Sequence, residues 1–241
     1  MFTTCSQRQL AAWFDDGGTP FARVVPNGID LVDWPFCPRG DATAAWMGRI
    51  TPAKGPHLAA QAAKLAGIPL TLYGTIEDQA YFDKEIAPLL AENVQYGGLL
   101  QGADLTNAIA RASVLLFTLL WDEPFGLAAI EAMACGLPIA AVENGAIREV
   151  AGDMARYAGA NAGELANALK EAIGIPRTAA RKRVERLFTL GQMLAEYVGL
   201  YARAIEAVGE GFDVPDLEAF QLPPAPNLTP ALDTVASHQA G

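Results

Sequence analysis

The chain has 241 residues, 51% hydrophobic, 8% aromatic and 18% charged, which describes a folded globular core rather than a disordered or fibrous polymer. That length buries a sizeable core without disulfide or metal support. The 27 acidic and 17 basic residues give a formal charge of −10, the wrong sign for attraction to nucleic acid or an anionic membrane surface.

The first forty residues open with a short helical piece near Gln7–Phe14 and pass through Asp15–Pro20 into Phe21–Val25 and the turn Pro26-Asn27-Gly28. This helix and extended run belong to no complete βα series, which suggests either an added cap or, over residues 1–30, the remnant of a preceding domain and an interdomain connection. From about Ala42 to Leu165, short β-prone apolar runs alternate with longer alanine-rich helical stretches, the pattern of successive βα units around a parallel sheet. Strands are predicted at Ala42–Gly48, Pro69–Gly74, Val94–Gly97, Ser113–Leu119, Leu137–Val142 and Ala155–Ala158. They are apolar nearly throughout, as strands covered on both faces should be. The intervening helices are predicted at Pro56–Ala66, Glu77–Leu90, Asp104–Arg111, Phe125–Cys135 and Gly163–Ala172, with Pro56 at a first helical position and Gly67 and Gly136 just past helix ends.

Two further helices, Arg177–Phe188 and Leu190–Val208, follow without an intervening strand and complete a domain over 31–208. The first carries Arg177, Arg181, Lys182, Arg183 and Arg186, a stripe that reads as a solvated face. Beyond Arg203 there is no basic residue, and prolines punctuate a stretch without apolar periodicity, so 209–241 reads as a flexible tail. Neither the amino terminus nor the longest strongly apolar run, Ala112–Trp121, has the form of an export signal or a membrane span. Cys5, Cys37 and Cys135 show no CxxC spacing, and with two histidines they make no convincing zinc shell. A cytoplasmic protein is expected.

Neither GxxxxGK[ST] nor GxGxxG occurs, which removes the main support for P-loop hydrolysis and ordinary dinucleotide binding. There is no DxD pair, so no metal site is expected. The remaining polar groups would gather at the carboxyl ends of the strands, where open α/β sheets place their ligands. Arg49 follows the first strand at Gly48, and Lys54 stands five residues on, just before a helix. The two could grip an anion, the arginine by a bidentate fork and the lysine as a point charge, or be ordinary surface cations. In Trp121-Asp122-Glu123-Pro124-Phe125-Gly126-Leu127, glycine opens a helix start that suits a phosphate. Glu123 precedes that helix and Glu131 lies about two turns in, at most roughly 12 Å away at 1.5 Å per residue. That separation suits two hydrogen-bonding roles on one extended ligand rather than a paired acid and base on one bond. Equally, Glu123 could complement the helix dipole and Glu131 be a satisfied or surface carboxylate.

Together, Pro26-Asn27-Gly28-Ile29-Asp30, Gly48-Arg49-Ile50 with Lys54-Gly55, and the Glu123-to-Glu131 segment ending Ala-Cys-Gly-Leu-Pro resemble the nucleotide-sugar half of a family 4 glycosyltransferase of the GT-B fold. The resemblance covers about residues 20 to 208. It implies an α/β fold, a Rossmann-like doubly wound parallel sheet forming one half of a GT-B enzyme. It also implies retaining, metal-independent sugar transfer from a nucleotide diphosphate donor, with a UDP-sugar expected and no separate cofactor. On that likeness Arg49, Lys54 and Glu123 are the catalytic group, with the two cations on the diphosphate and Glu123 on the sugar hydroxyls. Glu131 would hold the ribose and Leu100 the base through its backbone, while Gly48 and the Phe125, Gly126 and Leu127 backbone approach the sugar and phosphates. No residue is a persuasive covalent nucleophile. Only about twenty-five residues precede the Pro-Asn-Gly turn, so the N-terminal acceptor domain of such enzymes is expected to be missing or separate. That keeps open a non-catalytic nucleotide-sugar-binding module or one subunit of a two-chain transferase.

Overall fold

A computed structural model describes residues 2–14 and 22–209. Residues 1, 15–21 and 210–241, with the start of the extended run and the tail expected there, lie outside the described residues. A small parallel pair, β1 (Phe2–Thr4) and β2 (Ala22–Val24), flanks α1 (Gln7–Trp13), whose start is capped by the Ser6 hydroxyl accepting from the Gln9 N–H. The remaining strands are β3 (Ala44–Met47), β4 (Leu70–Tyr73), β5 (Val94–Gly98), β6 (Val114–Phe117), β7 (Ile139–Val142) and β8 (Ala155–Ala158). They form one six-stranded parallel sheet in the order β5-β4-β3-β6-β7-β8.

The central strands bury both faces, so alternate residues enter two cores. Ala45, Leu115, Phe117 and Ile139 pack on one side with α4 (Gly102–Arg111), α5 (Leu127–Ala134) and α8 (Arg177–Leu187). Trp46, Leu70, Leu72 and Leu116 pack on the other, beneath α2 (Pro56–Ala66) and α7 (Ala162–Ala172). The fold is therefore an α/β, Rossmann-like parallel sheet wound on both faces. The chain runs outward from β3 to β5 and then returns to place β6 beside β3. The crevice between the carboxyl ends of β3 and β6 is thus the topological switch point, where open parallel sheets bind ligands.

The stretch predicted as one helix over Glu77–Leu90 is broken. A helical turn, α3 (Gln79–Tyr81), passes through a wide turn at Phe82–Ile86 into a tight one at Ala87–Leu89, because Pro88 cannot continue a regular ladder. A five-residue helix, α6 (Ile147–Ala151), stands where no helix was expected, being too short to show a period. The last helix, α9 (Leu190–Gly209), exposes Leu194, Val198, Tyr201 and Ile205 along one side.

The arginine stripe of α8 corrects the reading of a solvated face. Arg177 donates to the carbonyls of Cys37, Ala110, Ala112 and Cys135, and Arg181 to those of Trp34 and Ala134. Arg183 reaches Val150 and Glu149. Most of these acceptors are the orphan carbonyls at the ends of α4, α5 and α6, where the helix dipole is negative and a guanidinium fork satisfies several at once. Lys182 and Arg186 are exposed, as a solvated face requires.

Candidate active site

Lys54 sits in a tight turn, Pro52–Lys54, whose backbone is clipped to the chain leaving β6. The Thr118 hydroxyl donates to the Lys54 carbonyl at 3.0 Å and accepts from the Trp46 indole at 2.9 Å, while Leu120 N–H donates to Ala53. The two chains approach so closely that a Cβ on Gly55, at φ +64°, would stand 2.2 Å from the Thr118 carbonyl oxygen. The Glu123 loop is fixed in the same manner, because its carbonyl accepts from the Ala146 N–H at 2.9 Å. Gly126 then turns the chain into α5 with φ +94°, and a Cβ there would press on the Phe117 ring at 2.7 Å.

These constraints bring the Lys54 ammonium to 2.8 Å from the Glu123 carboxylate, with both side chains only about one-fifth exposed. The ammonium also lies over the Trp121 ring, 5.1 Å from its centre. The indole N–H of Trp121 is buried and has no hydrogen-bond partner among the described residues. Phe125 buries its ring edge-on against Phe188, leaving its backbone to border the site.

Two adjoining cavities open here. One, of about 290 Å³, is bordered by Gly48, Lys54, Glu123, Phe125, Gly126 and Leu127. The other, of about 260 Å³, is bordered by Gly48, Arg49, Leu100 and Glu131, with Tyr73 and Leu105 behind them. Met47, Gly48 and Ala128 belong to both walls, so the cavities meet end to end. All nine residues singled out from the sequence therefore line one continuous depression at the switch point.

The two arginine and glutamate environments differ. Arg49 is exposed and pairs with Glu77 at 3.0 Å, an arrangement worth little in water and easily exchanged for another anion. Glu131 is half-buried and makes no side-chain hydrogen bond or ion pair among the described residues. Burial raises its pKa above the ordinary carboxylate value. A desolvated carboxylate without a partner on a cavity wall is costly to the fold, which makes Glu131 a candidate binding group.

Residues beyond the sequence reading also contribute. Cys5 and Asn27, from the amino-terminal unit and the turn after it, line the first cavity. The Ser6 hydroxyl donates to the Pro124 carbonyl at 2.5 Å, and Arg8 forms a two-pronged pair with Asp122 at 2.9 Å. Only the long-range docking of β1–α1–β2 onto the Glu123 loop reveals these contacts. His57 is half-buried, its Nδ1 2.5 Å from the Tyr81 hydroxyl, and burial lowers its pKa. It lines neither cavity. Among the described residues no group of three or more His, Cys, Asp or Glu side chains could hold a metal ion, and no helix is long and apolar enough to cross a membrane.

Known proteins share this architecture. Over 204 residues the chain is 32% identical to an MMP alpha-(1->4)-mannosyltransferase of Mycolicibacterium hassiacum, covering 77% of this chain and 49% of that one. The chain spans about a third to a half of the length of the curated relatives it matches. The crystal structure of AviGT4, a glycosyltransferase involved in avilamycin A biosynthesis, superposes with a TM-score of 0.76 at 24% identity, over 85% of this chain and 64% of that one. Anabaena HepE in complex with UDP-glucose superposes with a TM-score of 0.72 at 21% identity, over 83% and 63%. The family model described as glycosyl transferases group 1 matches residues 37–186, more than half of the sequence, and the chain belongs to that family.

Proposed function

We propose that the chain is the donor-binding half of a retaining, family 4-type hexosyltransferase that uses a nucleotide diphosphate sugar, a UDP-sugar foremost, in the cytoplasm. The observation that carries this reading is the pair of end-to-end cavities at the switch point with the unpaired Glu131 on the wall of one and the Lys54–Glu123 pair on the wall of the other. A donor sugar places hydroxyl donors next to an anionic phosphate oxygen, and a carboxylate 2.8 Å from an ammonium is complementary to that junction. Glu123 orients the sugar hydroxyls and Lys54 and Arg49 take the diphosphate. The backbone of Phe125–Leu127 at the start of α5 approaches the phosphates, Glu131 accepts from the ribose hydroxyls, and Leu100 borders the base. The UDP-glucose held by HepE, on the same fold, supports a UDP-sugar here.

Cleaving the sugar–phosphate bond leaves negative charge on the departing diphosphate, so fixed positive potential on that side lowers the barrier. Arg49, Lys54 and the start of α5 supply it, and a divalent ion is not needed for donor binding. The acceptor hydroxyl bonds to the anomeric carbon on the face from which the diphosphate departs and gives its proton to the leaving phosphate oxygen, so the configuration is retained, with Glu123 orienting rather than attacking. Residues 1–30 supply the joint toward an acceptor-binding domain.

Calorimetry of the 241-residue chain with UDP, GDP, ADP and UDP-glucose in the presence of chelator tests this reading. Binding of UDP and UDP-glucose is expected. Arg49→Gln should weaken it by about 1.5–3 kcal/mol, the range for a hydrogen bond to a charged group. A folded sample that binds none of the four would overturn the donor-site assignment.

A further inference from the structure

A third cavity, of about 440 Å³, lies on the same face of the sheet toward the amino ends of β3 and β4, under the carboxyl end of α4. Its walls include Arg39, Arg111, Thr71 and Tyr73, and Tyr73 also borders the cavity of Arg49 and Glu131. No residue assigned above to the donor lines it.

Four features make it a built site. Arg39 and Arg111 are exposed, and neither guanidinium has a salt bridge or a side-chain hydrogen bond among the described residues. In contrast, Arg177, behind the same wall, is fully engaged by the Cys37 and Ala112 carbonyls and their neighbours, so the negative end of α4 is already neutralised there. Asp41 is the one acid on the wall, and its carboxylate is occupied by the N–H and hydroxyl of Thr43. Two unpaired guanidiniums against one occupied carboxylate make this a locally positive spot on a chain of net charge −10.

The Thr71 and Tyr73 hydroxyls likewise have no partner among the described residues. The Tyr73 ring lies over Gly97, where a Cβ would come within 2.4 Å of it. The segment carrying Arg39 and Asp41 is held in a strained path. Ala42 has φ +65°, the only positive φ of a non-glycine among the described residues, and its N–H donates to the Ser113 hydroxyl. Such strain persists where surrounding contacts over-determine the backbone, and it concentrates at ligand clamps.

We propose that this cavity binds a small phosphorylated sugar, with the phosphate on the guanidiniums of Arg39 and Arg111 and sugar hydroxyls on Thr71 and Tyr73. Guanidinium forks match phosphate oxygens bidentately, and the volume falls within the range of small-molecule sites. The inference stands independently of the donor-site reading.

Calorimetry with glucose 6-phosphate, glucose 1-phosphate and inorganic phosphate tests it. The measurement uses the full chain and an Arg49→Gln/Lys54→Gln background that removes phosphate binding at the donor groups. Saturable binding of a sugar phosphate is expected in both, with Kd below about 1 mM. Arg39→Gln/Arg111→Gln should weaken it by at least about tenfold, the lower end for charged hydrogen bonds, with an unchanged melting temperature because both side chains are exposed. Thr71→Val should weaken sugar phosphate by about fivefold and leave inorganic phosphate unaffected, which separates a sugar phosphate from free phosphate. Equal binding of inorganic phosphate and sugar phosphates, no saturable binding, or binding that survives Arg39→Gln/Arg111→Gln would overturn the proposal. So would binding abolished by Arg49→Gln/Lys54→Gln alone.

Discussion

Glu131 is where stability and function pull apart. Its carboxyl is desolvated and unpartnered, so the folded chain holds the proton more tightly than the unfolded chain does. Stability therefore falls as pH rises from the unfolded glutamate value, about 4.3, through the raised folded value, and the full cost is present above it. Glu131→Gln is expected to melt at or above the parent temperature at pH 7, with that advantage vanishing below about pH 4.3. It should bind UDP more weakly by on the order of 1–3 kcal/mol. Thermal melts across pH, paired with UDP titrations, check both halves; a Gln variant less stable than the parent at neutral pH would show that the carboxylate has a structural partner.

Glu123 behaves differently because its partner is Lys54. Glu123→Gln removes a counter-ion from the cation assigned to the diphosphate, so free UDP should bind at least as tightly as before. UDP-glucose should lose about 1.5–3 kcal/mol with the charged acceptor for its hydroxyls. The two ligands are titrated side by side. Equal losses for both would contradict the orientation in which Glu123 faces the sugar.

At the scale of elements, the six strands were legible to within about two residues, β6 and β7 most plainly because they are buried on both faces and read as apolar runs. Helix α2 matched its predicted limits, Pro56–Ala66, since proline and glycine punctuate both ends. The amino-terminal strand Phe2–Thr4 was invisible, as three residues carry no period and its partner β2 lies some twenty residues away. The inward aim of Arg177 was equally hidden, because no local pattern shows that two helix ends converge on one guanidinium. Its role is testable: Arg177→Met leaves the Cys37, Ala110, Ala112 and Cys135 carbonyls without that donor. A loss of about 3 kcal/mol is expected, the upper part of the range for stranding buried polar groups. That corresponds to roughly 6–12 °C in melting temperature for a domain of this size. Arg177→Lys should recover only part, since one ammonium cannot span carbonyls that a planar fork reaches together. Full recovery by lysine would reduce the contact to simple charge.

For the whole molecule, every group assigned to the donor lies on the six-stranded unit, while the β1–α1–β2 unit docks on the Glu123 loop through Ser6 and Arg8 and adds Cys5 to the cavity wall. The gathering of the site at the carboxyl ends of the strands was readable from βα alternation, but the strand order that makes the switch point and the docking of the small unit were not, because both depend on long-range contacts. The chain spans about half of its mannosyltransferase relative, and transfer of a sugar is bimolecular. Holding two reactants in register contributes roughly 7–11 kcal/mol to such reactions. A protein that positions only the donor forgoes much of that gain. The 241-residue chain is thus expected to bind UDP-glucose and release glucose slowly to water, with little transfer to any sugar acceptor. Joining it through residues 1–30 to the acceptor-binding half of a group 1 relative should raise transfer by several orders of magnitude, and Arg49→Gln should then depress transfer in the joined protein. Product analysis by chromatography, with and without the added half, decides the matter. Efficient transfer by the 241-residue chain alone would contradict the division of labour, while a joined protein that binds donor yet gains no transfer would favour a nucleotide-sugar-binding module over an enzyme.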